Sequence, residues 1–65
     1  MIPWKHQAVA NNAAGHQFAI ETAEMENGVL LRIRFVDSGP IREDSDHLYS
    51  SVNEAISAAH RLAGE

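Results

Sequence analysis

The clearest alternation of apolar and polar positions lies on either side of Asn27-Gly28. Before it, Phe18, Ile20, Thr22 and Glu24 interleave with Ala19, Glu21, Ala23 and Met25; after it, Leu31, Ile33 and Phe35 interleave with Leu30, Arg32, Arg34 and Val36. A period of two over such lengths is that of half-buried strands. Asn-Gly is the preferred pair for a two-residue type I′ bend, whose central residues both need positive φ. The register follows by counting: Glu26 faces Val29, Met25 faces Leu30, Glu24 faces Leu31, Ala23 faces Arg32, Thr22 faces Ile33, Glu21 faces Arg34 and Ile20 faces Phe35. Phe18, Ile20, Thr22 and Glu24 then share a core side with Leu31, Ile33 and Phe35, and the other side mixes charge with apolar groups. Glu21 opposite Arg34 is a cross-strand pair of about 0.2–1 kcal/mol, more useful for register than for stability.

The closing element reads as a helix. Ser51-Val52-Asn53-Glu54 is a capping box in which the Ser51 hydroxyl accepts from the Glu54 amide and the Glu54 carboxylate reaches back to the Ser51 amide. Val52, Ala55, Ile56, Ala59, Leu62 and Ala63 form an apolar stripe that needs a sheet to cover. Gly64 ends the helix, and Arg61 complements the dipole of its last turn. Ala55 and Ala59 permit a close seat on the sheet, with Ile56 and Leu62 filling the space between Phe18, Ile33 and Phe35.

The remaining segments carry weaker signals. Asp37-Ser38-Gly39-Pro40 has the composition of a turn, and Ile41-Arg42-Glu43 can return as a short third strand, with Pro40 marking a sheet edge. Glu43-Asp44-Ser45-Asp46 reads as a solvated loop leading to His47-Leu48-Tyr49. At the other end, Pro3 suits the first position of a short helix with Trp4 and Ala8 one turn apart, which is the reading adopted. Trp4, His6, Ala8 and Ala10 also alternate as an edge strand would. Asn11-Asn12-Ala13-Ala14-Gly15 is a loop. The predicted fold is α+β: a three-stranded antiparallel sheet with a C-terminal helix on one face, in the order α-β-β-β-α, as a single small domain over residues 1–65.

From Ile33 to Ala63, the strand, the Asp37-Ser38-Gly39 turn, the short strand and Tyr49-Ser50-Ser51 opening an alanine-rich helix resemble the small YegP-like proteins. The resemblance covers about half the chain and implies a fold and little chemistry. The broader order of elements is also similar to double-stranded-RNA-binding domains and to the partial version in HicB-type antitoxins. Both are likenesses of layout, and layout does not carry function.

Size changes the picture more than composition does. A chain of 65 residues without cysteine has no disulfide or thiolate metal staple, and a core this small rarely supplies more than roughly 3–5 kcal/mol. Association with a second copy or a partner is the natural supplement. Nine acidic against five basic residues give a mildly acidic net charge of −4. Phosphate neutralisation needs a basic stripe, and the clustered cations are only Arg32 and Arg34, with Glu21 answering one of them, which makes a nucleic-acid surface unexpected. No signal peptide and no membrane-length apolar run is read, so a cytoplasmic location is expected.

Candidate chemistry is thin. His6, His16, His47 and His60 lack metal-ligand spacing, and Asp44-Ser45-Asp46 lacks the glycine and terminal glutamate of a calcium loop. Ser38 lies in a turn and not in a nucleophile elbow. Glu24 and Glu26, or Asp44 and Asp46, lie on exposed surface where nothing separates their pKa values. No catalytic residue, cofactor or metal is therefore expected, and the chain is read as a non-enzyme.

What remains is the sheet side that the helix leaves uncovered, where apolar groups and arginines mix as they do in interfaces. The candidate partner-binding residues are Trp4, Met25, Leu30, Arg32, Arg34 and Val36. They point to a small protein-binding module of the regulator, inhibitor or antitoxin-like kind. Two other readings compete: a nucleic-acid-associated module using Arg32 and Arg34, and a homodimer of unknown function. A metal-dependent enzyme is a third. Trp4 is expected to fold over one rim of the core, and the segment around it can also cover the open face without any functional meaning.

Overall fold

The computed structural model describes residues 2–36 and 41–64, and of residues 41–46 the backbone only. Four strands, β1 (Lys5–Asn11), β2 (Gln17–Met25), β3 (Gly28–Phe35) and β4 (Ile41–Tyr49), precede one helix, α1 (Val52–Leu62). The strands form an antiparallel meander in the order β1-β2-β3-β4. The α+β class and the C-terminal helix are as the sequence predicts, but the sheet has four strands where three were expected.

The added strand is the N-terminal segment, read above as a short helix. β1 pairs with β2 through Ala8↔Ile20, Val9↔Ala19 and Ala10↔Phe18, with a bulge at Gln7 between His6 and Ala8. An isolated helix of about two turns is marginal in water, whereas the open ladder of β2 offers a partner to alternate backbone groups of this segment. Pairing wins, and the α-β-β-β-α order gives way to β-β-β-β-α. The layout shared with double-stranded-RNA-binding domains, which rests on a leading helix, does not hold here.

The β2–β3 bend also moves. Met25 lies opposite Gly28, Glu24 opposite Val29, Thr22 opposite Leu31 and Ile20 opposite Ile33, so the bend is Glu26-Asn27 and each β2 residue meets a partner two positions nearer the turn than predicted. A type I′ bend needs positive φ at Asn27, and among described residues only glycines have it, with Gly28 at φ 149°. The reason lies across the sheet. A Cβ on Gly28 would stand 3.0 Å from both Leu48 Cβ and the Tyr49 carbonyl oxygen, so the glycine is needed where the end of β4 crosses β3. An even shift preserves the faces, and so the core assignment survives the wrong register.

β4 runs through the acidic stretch read as a loop. Opposite β3, two steps from Val29 to Leu31 correspond to five on β4, from Tyr49 to Asp44. The turn-forming residues therefore produce a bulge in an edge strand, where polar side chains are tolerated. The turn assigned to Asp37-Ser38-Gly39-Pro40, with the edge role of Pro40, lies outside the described residues.

Phe18, Ile20, Val29, Leu31, Ile33, Phe35 and Tyr49 form the sheet side of the core. Phe18 and Phe35 meet across adjacent strands with ring centroids 6.1 Å apart and planes tilted by 58°. On the helix, Ala55, Ala58, Ala59 and Ala63 are buried, and Val52, Ile56 and Leu62 are half-buried around them. The seated stripe thus includes Ala58, outside the predicted set, and the larger residues flank it because only alanines fit against the phenylalanine and isoleucine side chains. Ser51 caps the helix by accepting from the Glu54 amide at 3.1 Å. The Glu54 carboxylate accepts from the Ser50 hydroxyl, in place of the expected Ser51 amide. At the far end Asn12 joins loop to helix: its Nδ2 donates to the Ala63 carbonyl at 3.0 Å while its Oδ1 accepts from the Ala14 and His16 amides.

Gly28→Ala combines an unfavourable φ with a 3.0 Å contact and is expected to lower the unfolding free energy by about 1–3 kcal/mol. Urea denaturation measures it; an unchanged midpoint would show that β4 does not approach as closely as described.

Candidate functional site

The sheet face opposite α1 carries the predicted site. Alternation along β2 places Ala19, Glu21, Ala23 and Met25 there, and along β3 it places Leu30, Arg32 and Arg34, with Val36 just beyond. Val9 and His6 of β1 join them opposite Ala19 and Glu21. The helical reading of the N-terminal segment hid Val9. A β-branched residue between two alanines was the available signal.

A polar cluster organises the middle of this face. Arg32 Nε donates to Glu21 Oε1 at 2.5 Å, and Arg34 Nη2 stands 4.0 Å from the same oxygen. The closer partner of Glu21 is thus Arg32, directly opposite it, and Arg34 takes the diagonal. Over the Arg32 guanidinium lies the Trp4 indole, 4.4 Å from Cζ to the ring centroid. Trp4 therefore folds over the open face of the sheet and not over a rim of the core. A cation–π contact of this kind is worth about 0.5–2 kcal/mol, comparable with a partly buried ion pair, so the two together hold the N-terminal segment down.

The consequence is a face divided in two. Toward the hairpin, Ala23 is fully buried although it faces away from the helix, Leu30 and Trp4 are half-buried, and the Arg32 and Glu21 side chains are only 17% and 16% exposed. Toward the other end Val36 is 53% and Val9 49% exposed, and Arg34 keeps 49% of its side chain in solvent. Met25 sits exposed beside the bend. The six candidate residues consequently do not form one surface: Trp4, Leu30 and Arg32 build the closed half, Arg34 and Val36 belong to the bare half, and Met25 stands apart.

On the helix side, an open hollow of about 260 Å³ is lined by Pro3, Lys5, Gln7, Thr22 and Glu24. The buried Thr22 hydroxyl accepts from Gln7 Nε2 at 2.9 Å, which leaves one carboxylate and one ammonium in an otherwise neutral depression. Among the histidines, His6, His16 and His47 are exposed and His60 is half-buried, edge-on to Phe18 at 5.8 Å. No group of three metal-ligating side chains converges among the described residues. No described helix is long and apolar enough to cross a membrane. Compared with protein-family models, curated proteins and solved structures, the chain matches none.

Arg32→Ala removes the support under the indole. The fluorescence of Trp4, the single tryptophan, is expected to shift to longer wavelength with a loss of about 1–2 kcal/mol in stability. An unshifted emission maximum would mean that Arg32 does not hold Trp4 in place.

Proposed function

We propose that this chain is a small, non-catalytic protein-binding module of the regulator, inhibitor or antitoxin-like kind, acting in the cytoplasm. Its contact surface is the bare half of the open sheet face: Val9, Ala19, Arg34 and Val36. The observation that carries this reading is the exposure of two valines beside an arginine, 49% and 53% for Val9 and Val36, on a face whose other half is closed by Trp4. Aliphatic groups around a single guanidinium suit a partner that presents a carboxylate within an apolar contact.

Charge complementarity supports the same chemistry. The face carries Arg32 and Arg34 against Glu21 in a chain of net charge −4, so an acidic segment would meet an excess of positive charge there. A nucleic-acid-associated role for Arg32 and Arg34 has less support. Arg32 is already engaged by Glu21 and Trp4, and one guanidinium gives little counterion release.

Arg34→Glu with Val36→Asp tests the surface without touching the core. Stability is expected to stay within about 0.5 kcal/mol of the original, while a partner retained by the unaltered protein in a pull-down from its host is lost. Equal retention by the double variant would refute the assignment.

A further inference from the structure

We infer that β1 is a dimerisation edge, and that two copies of this chain join β1 to β1 antiparallel about a two-fold axis at Ala10, forming one continuous eight-stranded sheet. β1 is an outer strand of the sheet, so one side of its ladder is open. The direction of its backbone groups follows from two bonds. The Asn12 amide donates to the His16 carbonyl at 3.0 Å, toward β2, and the carbonyl of Gln17, which lies opposite Asn11, accepts from Val36 on the far side of β2. In an antiparallel ladder these groups alternate. Ala10 therefore bonds inward, and the amides and carbonyls of Val9 and Asn11 point outward, unclaimed among the described residues.

Those two residues bracket Ala10. A two-fold axis there sets Val9 against the second copy's Asn11 and Asn11 against its Val9, giving four main-chain hydrogen bonds in two closely spaced pairs. A register centred on Val9 would need Gln7, but Gln7 is the bulge residue and its amide side chain is bound to Thr22. The bulge thus selects the axis.

Composition favours a second copy as the occupant. Natural edges are guarded by charge, proline or bulges; past the bulge at Gln7 the chain from Ala8 to Asn11 reads Ala-Val-Ala-Asn, with no lysine, arginine, acid or proline. Self-pairing opposes no like charges there, because Lys5 lies beyond the paired stretch. The other edge, β4, contains Glu43, Asp44 and Asp46, and pairing it with itself would bring acids together. At the axis the meeting side chains are two copies of Ala10, with Ala8 next along the same side, and all are small enough to admit a second strand. The need is also present: β1 packs only Ala8 and Ala10 against the core and leaves Val9 half-exposed. The axis is perpendicular to the sheet, so both helices lie on one side and both bare faces on the other. The dimer uses the main chain of Val9, whose side chain stays on the open face with Arg34 and Val36.

Analytical ultracentrifugation with amide hydrogen exchange, followed by NMR over a dilution series from about 500 to 1 µM, tests it. The expected result is a dimer that dissociates on dilution, with the Val9 and Asn11 amides protected at high concentration and exchanging at least tenfold faster in the monomer, while Ala10 changes less. Val9→Pro, which removes an outward donor and no β1–β2 bond, is expected to give a folded monomer. If that variant does not fold, the exchange pattern of the unaltered protein decides alone. A monomer throughout the series, or a dimer whose Val9 and Asn11 amides stay fast, overturns the proposal.

Discussion

One helix has to close the core of a sheet larger than itself. An α-helix is about 10 Å across and eleven residues of it run about 16 Å, whereas the outer axes of four strands lie about 14 Å apart and a nine-residue strand runs about 30 Å. α1 therefore shades β2, β3 and β4 along part of their length and leaves β1 at its margin. Its buried alanines make the seat close, and the large side chains of the core come almost wholly from the sheet. Every other feature is a response to this mismatch. Trp4 closes part of the opposite face, Gln7 and Thr22 satisfy each other beside the hollow, and Asn12 fastens the helix end to the β1–β2 loop.

The same mismatch decides what is available for function. Covering half of the open face with an indole held by Arg32 leaves a patch whose boundary is set by the reach of the N-terminal segment. Arg34 stands 4.0 Å from the carboxylate that Arg32 engages at 2.5 Å and keeps 49% of its side chain in solvent. The edge and the face are separate surfaces with separate chemistry: one offers main-chain hydrogen bonds along an uncharged strand, the other two valines and a guanidinium.

How much of this could be read from residues depends on how local the cause is. The helix start was legible because Ser51 and Glu54 are three residues apart, and the faces of β2 and β3 were legible because alternation survives an even register error. The bend was misplaced because Gly28 answers to Leu48 and Tyr49, some twenty positions away. β1 and β4 were misread because an edge strand is made by the neighbour that offers a ladder, not by its own composition. Within the site, Arg34 and Val36 were placed on the right face. The stacking of Trp4 on Arg32, which separates the face into halves, depends on the β1 register and the bulge at Gln7, and neither has a local signature.

The alanine face of α1 sits on the sheet without slack. Ala59→Leu measures this most directly, since Ala59 is fully buried and added methylenes in a filled core cost about 1–3 kcal/mol. Thermal or urea unfolding is predicted to show a loss of that size, with exposed Ser57→Leu near neutral. An Ala59→Leu protein as stable as the original would show that the helix has room for leucine at that position and is not the close lid on which the rest of the structure depends.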